Sequence, residues 1–562
     1  MAHLRPADPR RVPVPVGTIR RVARCLGFVL AIVGFDASSV EPILQQHDGD
    51  SLGTVDFRVS CSKPVQEPFN HAVALLHHMT YVQARESFER VAASDPTCAM
   101  AHWGIAMTLF QPLWPTRPQP EALQRGWDEV QKAKALQPPT PREQLFVAAA
   151  EAFFLEPAGT DYWLRIRRWE QAEQKVYASF PDDADAATFY ALALLATAPS
   201  NGLSHEHADE AAQILLRVYA AHPDHPGAMH YLVHANDAPG RERESLDITH
   251  KYEHAAPSNA HALHMPTHIY TRLGDWDGVI RGNLRAAEAA STQRAGQHGE
   301  FVSDEFAHAI EYLVYAYLQK GMDDAAASQV KRLQATANLE PTFKTAFHRA
   351  STQARYAVER QAWSEAAALV AAAPATPDSQ RYAWPQAITL FAQGLGAAHL
   401  GNLDAARAAE AQLEPLETTT RHAGEELFAR NIQLLRLELR AWIAHAERQT
   451  ESSAALMQEA VALESSTPKH AVTPGPTLPA NELLGDLLME QKQPGTALLA
   501  YQHSLESYPK RFNSLLGAAR AAHAGGQTSL ARDYYRQLLE VADGGTRQSA
   551  LTEARNYSRR TP

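Results

Sequence analysis

The stretch LGDLLMEQKQPGTALLAYQHSLESYP, residues 484–509, decides the fold of this chain. A small residue at Ala497 lets two paired helices approach closely, and Tyr501, four positions later, fills the same helix face. Pro509 then ends the second helix, because proline cannot donate the next backbone hydrogen bond. The stretch therefore predicts two consecutive helices packed as a hairpin.

The same pattern recurs along the chain with a period of 34 residues. Gly274 and Gly401 stand where turns between helices are expected, and glycine can take the positive φ that such turns require. Strand signals are nearly absent, since there is no sustained alternation of apolar and polar residues. The recurring residues are Ala531 and Tyr535, 34 residues after Ala497 and Tyr501, and Ala84, Phe88 and Pro96 near the N-terminus.

A 34-residue period of helix pairs is typical of the tetratricopeptide repeat (TPR), and after about residue 65 most of the sequence resembles that superfamily. The resemblance implies an all-α, TPR-type α-solenoid, a superhelix of antiparallel helix pairs whose first helices line a concave groove. More narrowly, the chain resembles an exported bacterial TPR family of unassigned function with paired HxxxH motifs. That resemblance rests on residues 60–62, 95–104, 225–230 and 264–268, which read SCS, DPTCAMAHWG, HPGAMH and HMPTH.

The length of 562 residues exceeds the size at which a single hydrophobic core stops growing, about 250–300 residues. We therefore expect an extended array of repeats. The predicted organisation is a signal peptide and basic leader at 1–39, a lead-in segment at 40–65, an N-terminal TPR-like array with a histidine-rich groove at 66–340, irregular TPR-like repeats at 341–465 and C-terminal TPR repeats at 466–562.

The N-terminus predicts export. Arginines at positions 10, 11, 20, 21 and 24 precede an apolar run from Cys25 to Phe35, and small residues follow at 37–39. This order is typical of a secretory signal peptide; the alternative is a buried helix after a disordered basic leader. Export predicts a periplasmic or secreted protein, in which Cys61 and Cys98 either form a disulfide or stay separately buried.

Charge and motif content restrict the class of partner. A net charge of -11 without clustered Lys and Arg argues against nucleic acid. No segment of the mature chain is long and apolar enough for a membrane span. The signatures HExxH, GxSxG, GxxxxGK and GxGxxG are missing, which excludes the common catalytic patterns but not an unusual metalloenzyme. The groove is expected to bind a peptide, a protein or a small-molecule ligand.

Histidine is unusually frequent, with 26 residues in the chain, and histidines concentrate between positions 205 and 308, where 13 of them lie. His230 and His234 form one HxxxH pair, and His264 and His268 form a second pair 34 residues later. Residues four apart share a helix face, so each pair can present two imidazoles to one point. Because neighbouring helices pack about 8–10 Å apart, we expect both pairs to share one metal ion.

Further candidate ligands follow from the repeat register. Asp237 lies three residues after His234 on the same helix face. Glu311 occupies the repeat position that His264 holds in the preceding repeat, and His308 lies three residues before it. The predicted metal ligands are His230, His234, His264, His268, Asp237, His308 and Glu311, with His261 as a further candidate.

Imidazoles with a carboxylate suit Zn, Cu or Fe, and the carboxylate content leans toward Fe, Zn or Mn. Two alternatives stay open: repeat duplication alone could produce the equivalent pairs, and groove histidines could hydrogen-bond a peptide or an anionic ligand. Pro266 complicates the second pair, because a helix that begins at this proline leaves His264 in a loop.

The sequence thus predicts an exported TPR protein whose concave groove binds a ligand or partner and carries a histidine-rich transition-metal site. The alternative function is a metal-dependent enzyme, oxidative or hydrolytic, in which the paired HxxxH histidines are the metal ligands. There Asp237 or Glu311 would serve as a further ligand or as a general base.

Overall fold

The computed structural model describes residues 51–114, 117–201, 204–296, 299–371 and 383–559, which belong to one compact unit. The signal peptide and basic leader predicted at 1–39, and the first part of the lead-in segment, lie outside the described residues.

α-Helices dominate the described chain and follow one another with short connections. The first part contains a 3₁₀ helix at Lys63–Val65 and then α1 (Gln66–His77), α2 (Tyr81–Ser94), α3 (Ala99–Met107), α4 (Pro120–Ala135), α5 (Pro141–Phe154), α6 (Tyr162–Ser179), α7 (Ala184–Asn201), α8 (Ser204–Ala221), α9 (Pro226–Asn236), α10 (Leu246–Tyr252), α11 (Ala260–His264), α12 (Pro266–Leu273) and α13 (Trp276–Thr292). Two short antiparallel strands follow, β1 (Arg294–Ala295) and β2 (Phe301–Val302). The remainder contains α14 (Glu305–Gln319), α15 (Asp323–Ala335), α16 (Phe343–Val358), α17 (Trp363–Ala367), α18 (Trp384–His399), α19 (Leu403–His422), α20 (Glu426–Ala446), α21 (Thr450–Ser465), α22 (Ala480–Glu490), α23 (Pro494–Ser507), α24 (Phe512–Ala524), α25 (Thr528–Val541) and α26 (Gln548–Ser558).

Helices that are adjacent in the chain pack against each other in consecutive pairs, α1 with α2, α3 with α4, and so on to α24 with α25. The predicted all-α solenoid of TPR type is therefore confirmed. Where the first helix of a pair is interrupted, its two pieces, α11 and α12, both pack against α13. Among the described residues no helix is long and apolar enough to cross a membrane.

The repeat residues make the contacts that the sequence pattern predicts. Gly104 of α3 lies so close to the ring of Phe88 in α2 that a Cβ there would be 2.3 Å from Phe88 Cδ1. Only glycine permits this approach of the two helices. Gly274 and Gly401 have φ angles of 64° and 74°, in the left-handed region that favours glycine. The predicted turn glycines are thus confirmed.

The C-terminal helices pack back onto the middle of the chain. The buried guanidinium of Arg511 donates hydrogen bonds to Glu359 and Glu482, each at 2.9 Å. Trp276 donates its indole N–H to the backbone oxygen of Lys510 at 3.0 Å. The Arg511–Glu359 bond joins residues 152 positions apart, and the Trp276–Lys510 bond joins residues 234 positions apart. These bonds therefore fix the arrangement of distant repeats.

The connection between α21 and α22, residues 466–479, contacts α14 and α16. Arg355 donates to the backbone oxygens of Pro476 and Gly475, at 2.6 and 3.1 Å. Tyr312 donates its hydroxyl to the backbone oxygen of Thr473 at 3.3 Å. The backbone oxygens of this connection therefore satisfy buried donors of both helices.

A disulfide joins Cys61 and Cys98, which are 37 residues apart in the sequence. Cys98 directly precedes α3, so the bond ties the segment before α1 to the beginning of α3. Of the two alternatives that the sequence left open, the structure shows the paired one.

Candidate metal centre

Six histidines on four helices, α9, α11, α12 and α14, form two groups of three. Within each group, one potential ligand atom from each residue lies within 4.8 Å of the others. Five of the six side chains are at most 3% exposed, and the sixth, His234, is half-buried. We call them the first triad, His230, His234 and His261, and the second triad, His264, His268 and His308.

The second triad is built across a helix break. Helix α11 ends at His264, Met265 forms the joint, and Pro266 begins α12. The proline therefore does start a helix, because its fixed φ and missing N–H suit a first helical turn. The two short helices nevertheless keep His264 beside His268, with 3.0 Å between their Nε2 atoms.

In this pair both Nε2 atoms carry lone pairs that face each other. His264 Nδ1 lies 2.6 Å from Asn283 Oδ1, and the amide nitrogen of Asn283 donates to the Val279 backbone oxygen at 2.9 Å. The amide orientation is thereby fixed, so His264 Nδ1 must carry the ring proton. His268 Nδ1 likewise donates to Asp237 Oδ2 at 2.8 Å. A neutral imidazole has one N–H, so no proton is left between the two Nε2 atoms.

Burial keeps both rings neutral. It lowers the pKa of His264 well below its ordinary value, and it also lowers the pKa of His268 although Asp237 opposes the shift. Neither ring is therefore an imidazolium at neutral pH. Two lone pairs at hydrogen-bonding distance repel each other, and a cation between them removes the repulsion.

His308 completes the second triad and is oriented by a relay of side chains. Glu311 accepts hydrogen bonds from His348 Nδ1 at 2.5 Å and from Ser351 Oγ at 2.6 Å. His348 Nε2 then accepts from His308 Nδ1 at 3.0 Å. This leaves His308 Nε2 as a buried lone pair with no hydrogen-bond partner in the described part of the chain. The His308 ring centre lies 4.1 Å from that of His264.

The first triad repeats this arrangement. His230 Nδ1 donates to the backbone oxygen of His77 at 2.6 Å, and His261 Nδ1 donates to Glu305 Oε2 at 3.3 Å. Although burial raises the pKa of Glu305, Lys344 and His261 hold it well below its usual value, so Glu305 is a carboxylate. The Nε2 atoms of His261 and His230 face each other at 3.2 Å.

His234 is the third member of the first triad. Its ring centre lies 4.9 Å from that of His230, one helical turn away on α9. Burial lowers the pKa of His234 well below its ordinary value, and the nearby rings of His268 and His261 lower it further. Its Nε2 is buried and, as far as the structure describes the chain, has no hydrogen-bond partner.

These geometries match those of metal-bound imidazoles. Nitrogens bound to one Zn or Cu ion at about 2.0–2.1 Å lie about 3.3 Å apart in a tetrahedral arrangement. The observed separations of 3.0 and 3.2 Å are close to that value. Metal-binding histidines also donate their other N–H to a carboxylate or carbonyl, which fixes the tautomer. Asp237, Glu305 and the His77 carbonyl provide this here.

A third cluster, formed by His77, Asp185 and His225, differs in this respect. His77 Nε2 and His225 Nε2 both donate to Asp185 Oδ1, at 2.9 and 3.3 Å. The Tyr231 hydroxyl donates to His77 Nδ1, and the Ala228 backbone N–H donates to His225 Nδ1, each at 3.2 Å. Every ring nitrogen thus has a complementary partner. Hydrogen bonds account for this cluster, and we assign no metal to it.

The structure divides the histidines of the predicted ligand set between two points. The two HxxxH pairs do not converge on one ion, because each pair belongs to a different triad and finds its third imidazole in the following repeat. The third members are His261 for the first triad and His308 for the second. Both stand at the same repeat position, three residues before His264 and Glu311 respectively.

The predicted carboxylates lie behind the imidazoles. Asp237 is bound by His268, Arg272 and Lys469, and Glu311 by His348 and Ser351, so neither belongs to a triad. The predicted preference for Fe, Zn or Mn depended on carboxylate ligands. The triads do not support it, because their facing atoms are imidazole nitrogens.

Sequence reasoning left out His348, Glu305 and Asn283, which hold the outer nitrogens of triad histidines. It treated His261 only as a further candidate. The repeated spacing of His261–His264 and His308–Glu311 could have revealed the third members of both triads. No comparable signal marks His348 or Asn283, because each is one of several polar residues within its helix.

No protein-family model matches this sequence, and no curated protein matches it. Among solved structures, the chain is similar to one in "Crystal structure of APC/C hetero-tetramer Cut9-Hcn1". The identity is 12%, the alignment covers 88% of this chain and 96% of that chain, and the TM-score is 0.28. The assignment to the TPR-type class rests on the helix pairs described above.

Proposed function

We propose that this protein is an exported TPR-type metalloprotein that holds two transition-metal ions, one in each triad. The observation that carries the proposal is the pair of buried Nε2 lone pairs of His264 and His268, 3.0 Å apart. Leaving a buried polar atom unsatisfied costs about 1–3 kcal/mol, and a cation between the two rings satisfies both. Zn, Cu and Fe are the ions that imidazole donors suit.

Elemental analysis of untagged protein, purified without chelators after metal-replete expression, tests the proposal. We expect close to two transition-metal ions per chain, one for each triad. His234→Ala should remove the ion of the first triad, and His268→Ala that of the second. Wild-type protein stripped with a chelator should take up the same two ions again, a result that does not depend on how well the variants fold.

His225→Asn is the matched control for these variants. His225 is a buried histidine of the hydrogen-bonded third cluster, and it caps α9 by accepting from the Ala228 N–H. Asparagine can make the same cap, so this variant should retain both ions. Wild-type protein that carries no transition metal and takes none up after stripping would contradict the proposal.

A metal-dependent enzyme, oxidative or hydrolytic, is the second candidate function. Three protein ligands per ion are typical of catalytic sites, which keep a coordination position open, whereas structural sites use four. Each group here contains three histidines. Turnover requires an open coordination position on the ion. If one exists, azide or cyanide should bind the Cu(II)-loaded protein and shift its ligand-field spectrum. A spectrum unaffected by either anion argues for storage instead.

Helical-repeat folds of this type commonly bind partner proteins, and the fold supports that broad role here. Beside the second triad, however, residues 466–479 already contact Tyr312 and Asp237. A peptide or protein ligand is therefore proposed to bind elsewhere on the repeats. Partner capture from extracts should persist after chelation, and capture that is lost with the metal would place the partner at the triads.

Export is supported by the disulfide between Cys61 and Cys98, because such bonds persist in oxidising compartments. We propose a periplasmic or secreted location on this ground and on the basic and apolar pattern of residues 10–39. Cell fractionation and N-terminal sequencing of the mature protein test the location. Full-length cytosolic protein with Cys61 and Cys98 as free thiols would contradict it.

A further inference from the structure

The two triads are neighbours. The ring centres of His234 and His268 are 6.2 Å apart, and those of His261 and His264 are 6.4 Å apart. These distances between the triads are similar to one within the second triad, where the ring centres of His268 and His308 are also 6.2 Å apart. Two-metal sites in proteins hold their ions about 3.5–4 Å apart. On the basis of the proposed function, we infer that the triads form one dinuclear copper centre that binds dioxygen between its two ions.

The charges around the triads favour copper in its monovalent state. Each carboxylate behind the triads already has a cationic partner, so it leaves no spare negative charge for the metal ions. The cost of burying uncompensated charge is steep. Two Cu(I) ions bring a total charge of +2, whereas two divalent ions bring +4. The four carboxylates and four cations are Asp237 with Arg272 and Lys469, Asp304 and Glu305 with Lys344, and Glu311 with Arg355.

The donor atoms point to the same metal. Each triad offers three imidazole nitrogens and no anionic ligand. Copper has the highest affinity of the divalent first-row ions for a given nitrogen site, and it also has a stable monovalent form. A site of neutral donors in a neutral surrounding therefore discriminates for copper over zinc and iron.

Space for a small molecule lies next to the first triad. A cavity of about 110 Å³ has His261, Trp114 and Glu305 among its walls. A water needs only about 10–15 Å³ of such volume, so a diatomic molecule fits. The Trp114 ring contacts both triads, 5.4 Å from His261 and 6.1 Å from His308 between ring centres. Tyr312 closes the opposite side, with its hydroxyl 3.5 Å from His268 Nε2.

The binding step balances without protons or a further reductant. Each Cu(I) gives one electron to dioxygen and becomes Cu(II), and the dioxygen becomes a peroxide dianion that bridges the two ions. Its O–O bond order falls from two to one, but the bond remains. The total charge of the centre stays at +2, because the molecule that enters is neutral. Burial therefore does not oppose the step electrostatically.

The test uses the full chain, stripped of metal, loaded anaerobically with Cu(I) and then exposed to dioxygen. We expect about one dioxygen taken up per two copper ions, as for two-metal sites that act as a unit, with strong near-ultraviolet charge-transfer absorption. The product should be nearly silent in electron paramagnetic resonance, because the two Cu(II) spins pair through the bridge. Loading with equal amounts of Cu(I) and Zn(II) should give mainly copper.

His234→Ala supplies the comparison, since it removes one half-buried ligand of the first triad and leaves the second triad complete. This variant should lose dioxygen uptake, and its oxidised form should show the resonance of an isolated Cu(II). His225→Asn should behave like the wild type. Wild-type protein that holds two copper ions but shows two ordinary Cu(II) resonances, takes up no dioxygen or prefers zinc overturns the inference and leaves the proposed function intact. Failure to hold two ions of any transition metal overturns the proposed function itself.

Discussion

His268 donates its Nδ1 proton to Asp237 over 2.8 Å, which joins α12 to the residue that ends α9. Asp237 is also paired with Arg272 and Lys469, both at 2.8 Å. The carboxylate is thus held in place by two cations while it sets the tautomer of a histidine whose Nε2 faces His264. It can affect the metal site without contacting the metal.

Asp237→Asn should weaken metal binding at the second triad by about 10–100-fold, the usual effect of losing an outer partner of a metal-binding histidine. Asparagine has one acceptor oxygen, for which Arg272 and Lys469 compete with His268. Titration against a chelator of known affinity measures the change. The ion of the first triad is the internal control, and equal weakening at both ions would argue against this role.

Arg511→Met should lower the free energy of unfolding by about 3–5 kcal/mol, because it leaves Glu359 and Glu482 buried without their cation. Urea denaturation followed by circular dichroism measures it. Arg520→Met is the matched control: its pair with Glu553 is partly exposed, so the loss should be about 0–1 kcal/mol. Similar losses in both variants would show that the burial of Arg511 is unimportant.

Glu173 should make the protein less stable as the pH rises. Burial raises the pKa of this carboxyl to about 8, against the opposing hydrogen bond from Trp169. Between about pH 4.5, the ordinary value, and pH 8 the folded state binds more protons than the unfolded state, so the stability contribution falls with rising pH and levels off above pH 8.

Glu173→Gln removes this titration. The variant should match the wild type near pH 5 and be more stable at pH 8, by an amount on the order of a few kcal/mol. Denaturation at both pH values tests this, with the exposed Glu121→Gln as the control. A wild type and a variant with the same pH dependence would mean that Glu173 is ionised in the folded protein.

Reduction of the Cys61–Cys98 bond should destabilise the first helices. Closing a loop of 37 residues contributes about 4 kcal/mol in the chain-entropy description. Hydrogen exchange of α1 to α3, measured with and without dithiothreitol, detects the loss. Cys61→Ala/Cys98→Ala should resemble the reduced wild type and be insensitive to the reductant. Unchanged exchange after complete reduction would show that packing alone holds the segment.

The sequence predicts what depends on local rules. The small residue, the aromatic residue and the proline of residues 484–509 indicate a helix pair because they act within two adjacent helices. His230 and His234 share a face because they are four residues apart on α9. These features need no knowledge of distant parts of the chain.

The composition of the metal site follows different rules. The sequence predicted one ion among four imidazoles and two carboxylates. The structure instead gives each HxxxH pair a third histidine from the next repeat, 27 residues after His234 and 40 after His268. Which side chains converge depends on the angle between packed helices and on the break at Pro266, and repeat arithmetic alone does not contain these.

The protonation of the site is also a tertiary property. Asn283, Glu305 and the His77 carbonyl decide which ring nitrogens keep their protons. Residues 466–479, more than 150 positions from the triads, contact Tyr312 and Asp237 beside the second triad. By itself, the sequence determined a TPR-type array with histidines in repeat-equivalent places, because helix periodicity is local. Only the tertiary structure decided that these histidines form two buried triads, because burial and hydrogen-bond partners come from segments far apart in the chain.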